Sequence, residues 1–190
     1  MPDYGEIIPY ADGVVRMRKP IISVFGSNDL SNSPEVVTVC EELGRAIVDL
    51  GCRVVCGGLG GSMTAVCRGA RSSSQYSSGD TIGILPMADA DMANEFVDVV
   101  VPTGLGLFRN MLVAQAGDAC ISVSGGSGTL SEVAFAWQIN KPVAAMSQTG
   151  GWSGELAGGR LDHRRDGHLI TDLQDVDAAR DWISEVLDLD

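Results

Sequence analysis

Lysine is nearly missing from this chain: Lys19 and Lys141 are the only two in 190 residues, against 17 aspartates, and the formal charge is −12. DNA and RNA binders draw most of their affinity from Lys and Arg neutralising phosphates, so no nucleic-acid partner is expected. An acidic surface of this kind suits a high-salt habitat and an ordinary acidic cytoplasmic protein equally. Histidine is as scarce. His163 and His168 share a polar segment near the C-terminus with no H-x-x-x-H spacing and no cysteine partner, so no metal site is expected. The five cysteines, Cys40, Cys52, Cys56, Cys67 and Cys120, are odd in number, lack C-x-x-C spacing and lie mostly in apolar stretches. They read as reduced core residues acting as small hydrophobes. No run approaches 18 continuous apolar residues, and no basic segment precedes an apolar one at the start. A membrane span and a secretory leader are therefore not expected, and the protein reads as soluble and cytoplasmic.

Glycine is what the chain has in excess, 24 residues, without a collagen period or a low-complexity tract. Average usage is about 7%, so the surplus belongs at defined backbone positions. A chain of this length buries roughly 70% of its unfolded surface and needs no disulfide or structural metal. Residues 1–19 mix turn formers with a short alternating piece and read as an arm. Residues 20–190 read as one domain.

Strand and helix patterns alternate along it. Short apolar runs at 20–25, 52–56, 81–85, 96–101, 119–123 and 142–146 predict buried parallel strands, with Pro86 and Pro102 closing two of them. Helices are predicted from Pro34 with Ser33 as cap, ending at Gly51, then over 61–69, 107–117, 129–139 and 176–187. Residues 147–168 read as a loop, and the mixed-charge run 160–166 as solvated. Trp137 and Trp182 fall on apolar helix faces and read as core. The alternation predicts an α/β fold, a doubly wound parallel sheet with helices on both faces.

In such a sheet, ligands bind beyond the carboxyl ends of the strands. Three loops there are glycine-rich: Gly26-Ser27-Asn28, Gly57-Gly58-Leu59-Gly60-Gly61-Ser62-Met63 and Gly125-Gly126-Ser127-Gly128-Thr129. Glycines let backbone N–H groups approach an anion, and a following helix N-terminus adds unpaired donors, so a small phosphorylated ligand is expected. No Lys follows the last glycine of either long loop, and neither fits G-x-G-x-x-G with a distant acid, so ATP hydrolysis and ordinary NAD binding are disfavoured. Arg109 and Glu132 flank the third loop. An Arg grips a phosphate or carboxylate bidentately, while a Glu serves as acid, base or sugar-hydroxyl partner.

The sequence Gly57-Gly58-Leu-Gly-Gly-Ser-Met63, then Arg109 with Asp118 nine residues on, then Ser124-Gly125-Gly126-Ser-Gly128-Thr129-Leu-Ser-Glu132, resembles the LONELY GUY family and its wider superfamily. That Rossmann-like group holds cytokinin riboside 5′-monophosphate phosphoribohydrolases, formerly labelled lysine decarboxylases, and molybdenum-cofactor carrier proteins. The likeness covers about residues 20–147. It implies Arg109 and Glu132 as catalytic residues. It implies a ligand site drawn from Gly26, Ser27, Gly57, Gly58, Gly60, Gly61, Met63, Arg109, Asn110, Gly125, Gly126, Ser127, Gly128 and Thr129. A homodimer is implied by the resemblance alone. Ser124 stands where the hydrolases carry Pro, and Asn110 where they usually carry Lys; both are closer to the carrier branch. The retained Arg109 and Glu132 favour a hydrolase that splits the N-glycosidic bond of a nucleoside 5′-monophosphate and needs no cofactor. The alternative is a carrier that binds the molybdenum cofactor and cleaves nothing.

Overall fold

The computed structural model describes residues 18–163, 165 and 167–189; most of the expected N-terminal arm lies outside them. Seven parallel strands form one sheet: β1 (Ile21–Gly26), β2 (Arg53–Cys56), β3 (Thr81–Leu85), β4 (Val99–Pro102), β5 (Ala119–Val123), β6 (Val143–Met146) and β7 (Thr171–Leu173). Their order is β4-β3-β2-β1-β5-β6-β7. The chain builds outward from β1 in one direction, then returns and builds outward in the other. The order therefore reverses between β1 and β5, where Ile22 aligns with Ala119 and Gly26 with Val123. A crevice opens beyond the carboxyl ends of such a pair, because the connections leaving the two strands run to opposite faces.

Helices α1 (Pro34–Asp49), α2 (Ser62–Arg71) and α6 (Val176–Leu187) cover one face; α3 (Arg109–Ala116), α4 (Ser127–Gln138) and α5 (Gly151–Leu156) cover the other. The first core gathers Ile22, Val24, Leu43, Ile47, Val54, Val66 and Ile183. The second gathers Phe25, Val55, Val113, Val133 and Trp137. Central strands buried on both faces read as unbroken apolar runs, and β5, Ala-Cys-Ile-Ser-Val, is buried throughout. Helices α1 and α2 meet almost backbone to backbone. A Cβ at Gly44 would lie 2.0 Å from the Val66 carbonyl oxygen, and one at Gly69 would lie 1.9 Å from that of Glu41.

Several elements differ from expectation. Segment 147–168 is not simply a loop: it holds a 3-10 turn at Ser147–Thr149 and helix α5. Strand β7 extends the sheet by three residues with no alternation to announce it. The fourth strand starts at Val99 rather than 96, because Phe96 and Asp98 are held in a turn by Thr81. Pro102 does not stop it but pairs with Leu85, as an edge strand allows. Ser33 makes no side-chain cap, leaving Pro34 to open α1. Helix α4 begins at Ser127 rather than 129, which puts Thr129 inside its first turn.

Of the run 160–166, Arg165 is not simply solvated. Its guanidinium stacks 4.8 Å from the Trp137 ring centroid and donates to the Trp137 carbonyl at 2.9 Å. All five cysteines are buried and free, and Trp137 and Trp182 are buried. No helix among the described residues is long and apolar enough to cross a membrane.

Candidate functional site

A cavity of about 420 Å³ opens at the β1/β5 reversal, within the range of small-molecule sites. Its floor is the end of β1, Val24 and Gly26. One wall is the β2 loop with Gly57, Leu59 and Met63; the other is the first turns of α4 and α3. The loops after β1 and β2 are laced together. The Ser62 N–H and hydroxyl both donate to the Ser27 carbonyl at 2.9 Å, and the Gly60 N–H donates to Asn28 Oδ1 at 3.0 Å. Gly26 leaves room for this contact, since a Cβ there would lie 2.3 Å from Ser62 Oγ.

The third glycine loop is braced from beneath. Ser124 adopts φ 53°, a left-handed conformation uncommon for a residue with a side chain. Its N–H donates to Thr149 Oγ1 at 2.7 Å, and its carbonyl accepts from the Ser153 N–H at 3.0 Å. The Gly125 carbonyl accepts from the Trp152 N–H at 3.0 Å. Turn and helix between Ser147 and Leu156 thus hold the loop in place.

Above that brace, α4 is preceded by Gly126 at its N-cap position, with no side-chain cap. The N–H groups of Ser127, Gly128 and Thr129 have no intrahelical partner and carry the positive end of the helix dipole. Thr129 Oγ1 is buried and has no hydrogen-bond partner among the described residues. Buried hydroxyls are ordinarily satisfied, so this one marks a place for an external acceptor.

Among the described residues, Arg109 and Glu132 are the only charged ones lining the cavity. Both are buried, with Arg109 Nη1 3.3 Å from Glu132 Oε1. The Arg109 guanidinium lies on the backbone of Gly57, where a Cβ would come within 2.4 Å of Nη1, and its Nε has no partner among the described residues. Burial pushes the Glu132 carboxyl up to about 8, against the opposing pull of Arg109. Near pH 7 the carboxyl is mostly protonated, and the cavity of a −12 chain carries a net positive charge.

Of the residues expected at the site, Gly26, Ser27, Gly57, Met63, Arg109, Asn110, Gly126, Ser127, Gly128, Thr129 and Glu132 line the cavity. Four do not. Gly58 turns at φ 72° with its open side toward Leu85 and Gly83; Gly60 and Gly61 pack against Ser27 and Asn28; Gly125 lies under Thr129. These glycines shape the loops from behind. Asn110 lines the cavity but spends its amide on the protein, donating to Ser131 Oγ at 2.8 Å and tying α3 to α4.

Val24, Asn28, Leu59, Pro86 and Leu107 complete the lining. Asn28 and Leu59 sit inside loops the glycine pattern had marked. Pro86 and Leu107 come from beyond β3 and β4, and no local signal points to them. Among the described residues, no three His, Cys, Asp or Glu side chains gather into a metal site.

A doubly wound α/β protein with glycine-loop walls and an Arg–Glu pair at its topological reversal is the class that this geometry defines. The chain belongs to the SLOG cluster4 family, whose sequence model matches residues 19–176. An uncharacterized protein of Archaeoglobus fulgidus is 36% identical over 125 residues, 66% of this chain and 78% of that one. Among solved structures, the molybdenum cofactor binding protein of Rippkaea orientalis is similar at 29% identity and TM-score 0.76, over 90% of this chain and 99% of its own. The molybdenum cofactor carrier protein of Chlamydomonas reinhardtii is similar at 28% identity and TM-score 0.71, with the same coverage. The superfamily expected from the resemblance and the doubly wound α/β fold expected from the strand and helix alternation are those found.

Proposed function

We propose that the protein binds a small organic phosphate in this cavity and carries it without cleaving it, the molybdenum cofactor being the ligand. The observation that carries this reading is the likeness to cofactor-binding and carrier proteins over nine-tenths of the chain. The site suits such cargo. The N–H groups of Ser127, Gly128 and Thr129, the unpartnered Thr129 hydroxyl and Arg109 would hold the phosphate. Leu59, Met63, Pro86 and Leu107 would lie along the organic ring system.

The hydrolase reading has its own support, Arg109 and Glu132 side by side in the cavity. Under it, water would add to the sugar carbon as the bond to the base breaks. Glu132, protonated at neutral pH, would supply the proton that the departing base takes up and regain one from the added water, which leaves a hydroxyl on the sugar.

One experiment separates the two. The protein is mixed with molybdenum cofactor released from a molybdoenzyme, and separately with AMP. Retention of intact cofactor with no adenine formed is the expected result. Release of adenine and ribose 5-phosphate, abolished in Glu132→Gln, overturns it. Gly126→Val tests the location of the phosphate. A Cβ at Gly126 meets no protein atom within 4 Å, so valine is accommodated by the fold while adding bulk at the rim of the cavity that Gly126 lines. Affinity for the cofactor is expected to drop at least tenfold with an unchanged unfolding temperature. Unchanged affinity would place the phosphate elsewhere.

We also propose a homodimer through the face between α3 and β4. Ile82 and Ile84 face the α3 side and align with Val99 and Val101, so β4 presents its valines on that side with no described helix over them. Val99, Val101, Leu105, Leu107, Phe108 and Met111 are all exposed, Leu107 and Phe108 by more than 80%. Taking about 150–200 Å² per whole side chain, they present on the order of 600 Å². That lies at the top of what a lone monomer shows in one patch and approaches the ~800 Å² per partner of a stable interface. Light scattering at micromolar protein is expected to give twice the chain mass, and Phe108→Asp to give a folded monomer. A wild-type monomer would sink the proposal.

A further inference from the structure

Cys56 and Cys67 take no part in the ligand chemistry described above, yet they lie against its wall. Cys56 ends β2 and Cys67 sits within α2, both fully buried, with their sulfurs 3.7 Å apart. The residue after Cys56 is Gly57, whose backbone supports the Arg109 guanidinium. Met63, one turn before Cys67, lines the cavity. The glycine loop between the two sulfurs is therefore the cavity wall itself.

We propose that Cys56 and Cys67 are a modification site: a small hydroperoxide such as hydrogen peroxide oxidises them to a reversible disulfide, and closure of that bond reshapes the loop between them and weakens ligand binding. The effect on binding rests on the ligand reading above; the bond itself does not.

The pair is electrostatically unequal. The hydrogen bond from Cys67, with help from the Gly58 N–H and the Arg109 charge, holds the Cys56 thiol below its ordinary value despite burial, while Cys67 is pushed well above. Cys56 is thus the attacking thiolate. The other three thiols, Cys40, Cys52 and Cys120, are all raised by burial, to about 12, 11 and 12. The cavity reaches Gly57, the residue after Cys56, while both sulfurs are buried behind the loop, so the peroxide meets Cys56 when that loop opens.

In the first step the Cys56 sulfur bonds to one peroxide oxygen as the O–O bond breaks. The leaving hydroxide takes a proton to become water, and Cys56 becomes a sulfenic acid. In the second, Cys67 gives up its proton, its sulfur bonds to that of Cys56, and the S–O bond breaks to release a second water. Two thiols and one peroxide yield one disulfide and two waters, with two electrons passing to the peroxide. A dithiol reductant reverses the change.

A disulfide brings its sulfurs to about 2.05 Å, so the pair must close by roughly 1.7 Å. The loop has little slack to absorb this. Gly58 turns at φ 72° and donates to Cys56 Sγ at 3.4 Å, and Gly60 is tied to Asn28. Any part of the closure that side-chain rotation does not take up moves the end of β2, and with it Gly57 and Arg109.

The test treats the purified protein with hydrogen peroxide, then counts thiols after unfolding and maps linked peptides by mass spectrometry. AMP serves as the binding probe. Five thiols are expected to become three, with a peptide joining Cys56 to Cys67. AMP affinity should fall about tenfold and return with dithiothreitol. Cys67→Ala should keep its AMP affinity in peroxide. Five remaining thiols, a different pairing, or a formed bond with unchanged affinity and unchanged amide exchange over 57–61 each overturn the proposal. If the reduced protein binds no AMP, the effect on binding is read with molybdenum cofactor released from a molybdoenzyme, and failure to bind that too overturns the ligand reading, while thiol count, linked peptide and amide exchange still decide the switch. Should Cys67→Ala fail to fold, the wild-type mapping stands alone.

Discussion

Replacing Arg109 with methionine is expected to lower affinity for a phosphorylated ligand by about 100-fold, while moving the unfolding temperature little at pH 7. The guanidinium is the one cation in the cavity among the described residues, and a hydrogen bond to a charged group is worth about 1.5–3 kcal/mol, which sets that size. Methionine keeps most of the buried stem volume, so packing changes little. Breaking a buried ion pair ordinarily costs about 3–5 kcal/mol because a charge is stranded. Here the partner is Glu132, which holds a proton up to about 8, so little charge is stranded at neutral pH. At pH 9 the same variant should be clearly destabilised. Gly57→Ala should reproduce the loss of affinity by another route, since its Cβ would occupy the place of the guanidinium. Arg165→Met, against Trp137 and away from the cavity, is the control and should leave affinity unchanged. Titration calorimetry reads all three; an unaffected Arg109→Met would mean that the anion is held by helix α4 alone.

The parts of this site legible in the sequence are those where backbone geometry forces a residue type. Gly26 and Gly57 sit where a strand ends and another group occupies the place of a Cβ, so glycine recurs there and can be seen. Central strands were legible because burial on both faces leaves apolar runs. Helix α5 was not, because it carries Gly151 and Gly154, poor helix formers, and owes its place to hydrogen bonds with Ser124 and Gly125 far back in the chain. Strand β7 was hidden for a similar reason: three residues at an edge carry no pattern of their own. Pro86 and Leu107 reach the cavity only through the order of strands. The glycine loops marked the ligand end of the sheet but not which glycines face inward, since Gly58 and Gly126 look alike until φ and the surrounding atoms are known. The cysteines read as small core hydrophobes, as they are, but the pairing of Cys56 with Cys67 joins a strand to a helix and leaves no spacing signature.

Wild-type stability is expected to fall as pH rises from about 5 to 8.5, and Glu132→Gln to remove most of that slope. The Glu132 carboxyl titrates at about 8 in the folded protein against 4.5 unfolded. Between those values the folded state keeps a proton that the unfolded chain has released, so stability is lost as pH climbs through the window. At about 1.36 kcal/mol per pH unit, the loss is on the order of 4 kcal/mol for this nearly fully buried group. Glutamine has the shape of the protonated acid and no charge to bury. The two proteins should match near pH 4.5 and diverge until about pH 8, with the variant the more stable.

Other groups change outside this window. Asp80, Asp98 and Asp118 are held below the usual carboxylate value despite burial by their hydrogen bonds to Lys19, Tyr76 and Arg18, so their contribution is lost only in stronger acid. The buried thiols Cys40, Cys52 and Cys120 lower stability above about pH 9, equally in both proteins. The difference between the two denaturation curves therefore isolates Glu132, and parallel curves would show that its carboxyl is ionised in the fold. The same proton reaches the ligand. A phosphate dianion beside Glu132 favours the neutral acid further, so binding at pH 9 should take up protons in the wild type and not in Glu132→Gln. Calorimetry in buffers of different ionisation enthalpy measures that uptake, and its absence would separate the carboxyl from the anion site.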